Sequence, residues 1–465
     1  MTGTSSTKIL GFWRFLSCFV ALFLFLVEWA QADAPKNIII MISDGAGFNH
    51  VDAASLYQYG ETGRQVYEDF PVKLAMSTYP FGGGYVSHEA WQDFEYVMEG
   101  YTDSAAAATA MSAGVKTRKG ALGVTVKDLP LRHLMALYEE EGKMSGVVTS
   151  VPFSHATPAG FVAHNTSRHN YAAIAREMLQ DSALDVIMGC GHPYFDPDGR
   201  PVKEGANTFD YVGGRETWER LVDADPGNDP AGDADGDGKP DPWALVQTRA
   251  EFENLISGPT PSRVLGIPKV FQTLQQRRSG QAHAAPFEVT LIDSVPTLAE
   301  MTRAALNILD ADPDGFVLMV EGGAVDWAAH DNQSGRMVEE QIDFNRSVAA
   351  VVDWVESHSS WQETLLIVTA DHECGYLCGP DSGKEKPYWR PLVNNGPGRL
   401  PGMEWHSGDH TNSLVPFYAK GADAEKFFKQ IIGRDAVHGP YLDNTAIKRV
   451  CQPPIKIIPM AVQKD

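Results

Sequence analysis

Positive charge is scarce in this chain: its 465 residues carry 38 Lys and Arg against 60 Asp and Glu, a formal charge of −22. That balance argues against nucleic acid as a partner and repels anionic ligands at long range. Any anion site must therefore be locally positive, through an arginine, a helix N-terminus or bound cations. Cysteine is sparse too, at five residues, and Cys18 lies near the N-terminus. Cys374 and Cys378 are close enough to close a small loop, which would leave Cys190 to pair with Cys451. The spacing lacks the second close pair of a Cys-rich metal site. Apolar runs are short, and the one over 15–27 falls below the roughly 17–25 residues that a membrane span needs. No internal repeat, heptad pattern or low-complexity tract is present. Core material is ample: 43% apolar and 10% aromatic residues exclude disorder as the general description.

Lys8 and Arg14 give the N-terminus a positive flank, the apolar run follows, and Ala30-Gln31-Ala32 has the small-x-small form of a cleavage site. Residues 1–32 therefore read as an export signal cut after Ala32, with an uncleaved anchor as the alternative. Either way the folded part lies outside the cytoplasm, periplasmic or secreted, and cleavage leaves no stable membrane span. Residues 35–465 read as a single α/β domain. An insertion over about 191–286, rich in Gly, Pro, Asp and Arg, elaborates one edge of the core, and a loop-rich excursion over about 373–405 precedes a final strand at 414–419.

Residues 37–43 form a continuous apolar run, the pattern of a strand buried on both faces, and deliver Asp44 at the carboxyl end. The stretch 131–142 looks helical, and 146–150 reads as a second strand running toward His155 and Thr157. Residues 315–320 deliver Glu321, and 364–369 deliver Asp371 and His372. One acid after a strand usually caps the next helix. Four apolar runs that all end in metal-binding side chains point elsewhere, because ligands of open α/β sheets bind at the carboxyl ends of the strands. Asp326 and His330 follow with the i, i+4 spacing that places both on one helix face. Mixed nitrogen and oxygen donors (Asp326, His330, Asp371, His372) suit Zn²⁺, whereas the oxygen-only set Asp44, Thr157 and Glu321 suits Mg²⁺.

The stretch 99–114 predicts a helix with Thr102 or Asp103 as N-cap, a run of alanines and Gly114 as the stop. Ser104 then sits in its first turn, where free backbone N–H groups and the positive dipole end favour an anion. Read alone, the stretch is equally an Ala-rich packing helix. Ser104 becomes a nucleophile only if cations and a phosphate clamp surround it.

Taken together, Asp44-Gly, Thr102-Asp-Ser104-Ala-Ala-Ala-Ala, His155-Ala-Thr157-Pro, Asn165-Thr-Ser-Arg168, Glu321-Gly-Gly-Ala-Val-Asp326-Trp-Ala-Ala-His330, Thr369-Ala-Asp371-His372 and Asp409-His410-Thr resemble the signature segments of alkaline phosphatases, in order. The resemblance runs from residue 37 to about 420. It implies a doubly wound α/β fold, with a mostly parallel central sheet, helices on both faces and loop-rich insertions. It further implies two zinc ions, one magnesium ion and small phosphate monoesters as substrates. By motif, one zinc takes Asp326, His330 and His410, and the other takes Asp44, Asp371 and His372. Magnesium takes Asp44, Thr157 and Glu321, Ser104 is the nucleophile, and Arg168 clamps the phosphate. Homodimers are usual in the family. His155 stands where some members carry an acidic magnesium ligand, and Trp327 where others carry Lys or His; the resemblance places both beside the substrate. His406 is an alternative to His410 if the register shifts by a turn.

Two further readings stay open. Asp233, Asp235, Asp237 and Asp241 look like the front half of a calcium loop, but Ala244 stands where a full loop needs Glu, so Ca²⁺ binding and a solvated acidic turn are the alternatives. The enzyme alternatives are a phosphodiesterase or sulfate ester hydrolase of the same superfamily, and the non-enzyme alternative is a periplasmic metal or phosphate binder. Ser104 together with Arg168 favours monoester hydrolysis.

Overall fold

The computed structural model describes residues 34–223, 229–233 and 238–453. The signal over 1–32 and two of the acidic-loop residues, Asp235 and Asp237, lie outside them. Among the described residues no helix is long and apolar enough to cross a membrane.

Eleven strands form one sheet. The first four are β1 (Asn37–Ser43), β2 (Val72–Ser77), β3 (Met144–Pro152) and β4 (Val186–Cys190). Two short strands from within the loop-rich insertion follow, β5 (Ala244–Val246) and β6 (Val264–Gly266). The chain then adds β7 (Phe316–Gly322), β8 (Thr364–Thr369), β9 (Val415–Gly421), β10 (Ile431–Asp435) and β11 (Gly439–Asp443). Their spatial order is β10-β11-β2-β9-β8-β1-β7-β3-β4-β6-β5. The run from β8 to β5 is parallel throughout, and β9 enters antiparallel to both β8 and β2.

Burial on both faces explains the apolar runs. Every residue of β1, β7 and β8 is buried. Ile38, Ile40 and Ile42 pack into one apolar cluster with Ala105, Ala108 and Met111 of the helix Ser104–Ala113, while Ile39 and Met41 point into a second. That second cluster is filled by Leu298–Leu309 and by Ser334–His358, through Leu306, Phe344, Val348 and Val355. The sheet is therefore sandwiched by helices, as buried parallel strands require.

The expected helix at 131–142 shortens to Leu134–Glu139, and β3 extends the strand expected at 146–150. The strand expected last, at 414–419, is β9, but β10 and β11 follow it. Those two lie at a sheet edge with mostly exposed or half-buried residues, so they lack the continuous apolar signature that betrayed the central strands. The expected disulfides are absent: Cys190, Cys374, Cys378 and Cys451 are all free and buried. Cys374 and Cys378 cannot face each other readily because they belong to separate two-residue ladders, one pairing with His410–Thr411 and the other with Glu404–Trp405.

Candidate active site and metal centres

Four adjacent strands, β8, β1, β7 and β3, carry the candidate ligands at or just beyond their carboxyl ends, although positions as far apart as Gly45 and Asp371, 326 residues, meet there. Ser43 ends β1 and hands over to Asp44; Glu321 is the penultimate residue of β7; Asp371 and His372 follow β8 closely. The helix Ser104–Ala113 meets this edge with its N-terminus. Asp103 is its N-cap, accepting a hydrogen bond from the Ala106 N–H at 3.1 Å, and Gly114 closes it in the left-handed conformation. Its alanines serve packing: a Cβ added at Gly160 would fall 2.6 Å from that of Ala108, so only small side chains permit this approach.

Around Ser104, side-chain atoms converge. Its Oγ lies 3.2 Å from His372 Nε2. The same nitrogen lies 3.1 Å from Asp371 Oδ2 and 3.5 Å from Asp44 Oδ1. Both of those carboxylate oxygens are buried without a hydrogen-bond partner, and Glu321 Oε1 is a third such atom. Thr157 donates to the other Asp44 oxygen at 3.4 Å, and Thr149 donates to Glu321. Burial, followed by the charges of Asp371, Asp326 and Glu321, pushes the Asp44 carboxyl well above the usual range. Burial likewise takes Glu321 up to about 7 against its hydrogen bond from Thr149. Packed carboxylates that raise one another in this way, with lone pairs left unsatisfied, are suited to a multivalent cation.

A second cluster abuts the first, with the His372 and His410 rings stacked at 3.6 Å. Asp326 Oδ2 lies 3.5 Å from His330 Nε2, its Oδ1 lies 3.4 Å from His410 Nε2, and the two imidazole nitrogens are 3.0 Å apart. The opposite ring nitrogens are engaged: His330 Nδ1 faces the Gly408 carbonyl at 2.8 Å and His410 Nδ1 the Thr102 carbonyl at 2.9 Å. Donation from Nδ1 to those carbonyls leaves both Nε2 lone pairs pointing inward, the arrangement that orients histidine toward a metal. Burial lowers His410, but the hydrogen bond and charge of Asp326 outweigh it and raise it to about 9. His406 is elsewhere, its ring against Phe94 and Tyr376, so His410 is the histidine that meets Asp326.

Ser104 opens on a cavity of about 580 Å³ that His155, Arg168, Arg277 and Trp327 also line. Arg168 Nη1 pairs with Asp103 Oδ2 at 3.1 Å. Burial would raise the Asp103 carboxyl, but Arg168 and the backbone N–H groups of Gly120 and Ala106 outweigh it and hold it low. His155 is driven down to about 3 by burial and then by Arg168, so it is a neutral ring, stacked on Tyr171 and edge-on to Trp327 at 5.3 Å. In the acidic loop, Asp233 accepts a hydrogen bond from Gly238 N–H at 2.8 Å.

Residues 35–403 match the sequence profile of the family described as alkaline phosphatase. The chain belongs to the alkaline phosphatase family. Alkaline phosphatase of Escherichia coli K12 is 28% identical over 427 residues, covering 84% of this chain and 83% of that protein. Alkaline phosphatase 3 of Bacillus subtilis is 29% identical over 363 residues, 75% of this chain; the match spans only 63% of the Bacillus protein. The crystal structure of a cold-active alkaline phosphatase from Shewanella sp. superposes with a TM-score of 0.62 at 25% identity, covering 90% of this chain and 98% of that one.

Three residues of this alkaline phosphatase family member carry no sequence signal that marks them as site residues. Asp103 reads along the chain as a candidate cap within a signature segment, with nothing to show that it also partners Arg168. Arg277 comes from the aperiodic insertion and stands 5.5 Å from the Trp327 ring, where it adds positive charge to the cavity. Cys374 joins Asp326, His330 and His410 in one cluster of potential ligand atoms. Its place opposite His410 depends on a two-residue ladder that no periodicity announces.

Proposed function

We propose that this chain is an exported hydrolase of phosphate monoesters that uses Ser104 as nucleophile. The observation that carries the reading is the convergence of Ser104 Oγ, Asp371 Oδ2 and Asp44 Oδ1 on the single nitrogen His372 Nε2. Asp44, Asp371 and His372 would hold one zinc ion, Asp326, His330 and His410 the second, and Asp44, Thr157 and Glu321 a magnesium ion. When bound, these ions supply Lewis acidity, which makes the serine alkoxide and hydroxide accessible near neutral pH and offsets charge on the leaving oxygen.

Ser104 Oγ, at the N-terminus of its helix, attacks phosphorus as the ester P–O bond breaks, which leaves a phosphoserine and an alcohol. Water then attacks the same phosphorus from the side the alcohol left, the serine P–O bond breaks, and phosphate departs. Arg168 presents a planar fork to two phosphate oxygens, and Asp103 anchors that fork at the cavity that Ser104 lines. The helix N-terminus adds its free N–H groups to the same anion. His155 and Trp327 border the space for the alcohol part of the substrate. The acidic balance of the chain makes these local positive groups necessary.

Ser104→Ala should lower turnover of p-nitrophenyl phosphate by roughly a thousandfold or more while the metal content of the purified protein stays unchanged. Retained turnover would overturn the assignment. Faster hydrolysis of bis(p-nitrophenyl) phosphate than of the monoester by the unaltered protein would instead favour a phosphodiesterase.

A further inference from the structure

We propose that Cys374 Sγ is a fourth protein ligand of the ion held by Asp326, His330 and His410. The inference rests on the metal-site reading above and adds a sulfur donor to it. One potential ligand atom from each of the four residues lies within 4.8 Å of the other three. Chain geometry enforces this grouping. Cys374 stands directly across the antiparallel ladder from His410, which puts the two side chains on the same side of the ribbon.

The surroundings of Cys374 set it apart from the other cysteines. Cys190, Cys378 and Cys451 each pack into an apolar cluster, as a buried thiol with a structural role does. Cys374 is fully buried yet belongs to none of these clusters, and its thiol makes only a long contact of 3.8 Å to the Asp326 carbonyl oxygen. Asp326 Oδ1, in a residue only 5% exposed, faces the same group, 3.4 Å from His410 Nε2. A buried carboxylate and a buried thiol grouped with two inward-facing imidazole nitrogens form a mixed N, O and S donor set, which suits Zn²⁺ and disfavours Mg²⁺. On loading, the S–H bond breaks, a metal–sulfur bond forms, and the proton passes to solvent.

The experiment is titration of the chelator-stripped full chain with Co²⁺. Visible d–d bands report loading of the metal centres, and a near-ultraviolet thiolate-to-cobalt charge-transfer band rising in step with them reports the sulfur. Cys374→Ser should keep the visible bands and lose the near-ultraviolet one, and its zinc affinity should fall by roughly 10- to 100-fold or more. Visible bands without the charge-transfer band overturn the proposal and leave the metal site standing, as does a charge-transfer band that survives Cys374→Ser. Absence of any cobalt spectrum overturns the site reading itself. Zinc-edge X-ray absorption of the unaltered protein tests the same ligand without requiring a variant to fold: a sulfur neighbour supports Cys374 ligation, and a shell of nitrogen and oxygen alone refutes it.

Discussion

Arg168 and Asp103 form a pair in which each residue constrains the other. The Arg168 side chain is only 14% exposed and its ion-pair partner is Asp103, itself 12% exposed, so the guanidinium is anchored beside the cavity that Ser104 also lines instead of roaming through solvent. A charge-assisted hydrogen bond to phosphate contributes on the order of 1.5–3 kcal/mol. Arg168→Ala should therefore cut kcat/KM for p-nitrophenyl phosphate by roughly 30-fold, about 2 kcal/mol, with Arg168→Lys recovering only part of it because an ammonium cannot bind in bidentate fashion. Steady-state kinetics with inorganic phosphate as competitor checks this: the inhibition constant should weaken in parallel. If Arg168 were only a structural ion pair, thermal stability would fall and the phosphate constant would not.

At the level of elements, the junction after β1 and the start of the Ser104–Ala113 helix each carry a separable test. Gly45 adopts φ +73°, and a Cβ there would lie 2.8 Å from the Asp326 Cα and 2.9 Å from its Oδ1. Gly45→Ala should push Asp326 away from His330 and His410 and reduce bound zinc by about one equivalent, read by elemental analysis, in addition to a backbone cost of about 1–2 kcal/mol. At the helix, Asp103 both caps and pairs. Asn is as good a cap as Asp, whereas Ala is not. Asp103→Asn should therefore retain the helix contribution while losing the ion pair, and Asp103→Ala should be less stable than Asp103→Asn by about 1 kcal/mol in denaturant unfolding.

For the whole molecule, the buried acidic edge ties metal loading to pH. Burial pushes the Glu321 carboxyl up to about 7, and Asp326, outweighing burial, pulls the His410 imidazole up to about 9. Both must release a proton to become ligands, so protons compete with metal throughout that window. Magnesium affinity should therefore rise as pH climbs through about 7, and zinc affinity should go on rising to at least about pH 9. Binding to the folded state alone also stabilises it, by about 4 kcal/mol at a thousandfold excess over the dissociation constant. Chelation at alkaline pH should lower Tm accordingly, and scanning calorimetry with and without chelator measures the difference. A metal-independent Tm would show that these carboxylates are satisfied without ions.

Much of this arrangement was legible along the chain because its signals are local. A strand buried on both faces reads as a near-continuous apolar run, so β1, β7 and β8 declare themselves, and the acids at or just beyond their carboxyl ends stand out against that background. The helix behind Ser104 is legible through its cap, its alanines and its glycine stop. Tertiary structure alone decided the rest, because each remaining feature depends on pairings over long stretches of chain. The order β8-β1-β7-β3 is what gathers Asp371, Asp44, Glu321 and Thr157 on one edge. The pairing of Asp103 with Arg168 spans 65 residues, and the two-residue ladder that sets Cys374 against His410 turned an expected disulfide partner into a neighbour of Asp326. Strands β10 and β11, the outermost pair of the sheet, stayed hidden for the converse reason: mostly exposed or half-buried, they need no continuous apolar run to hold their place.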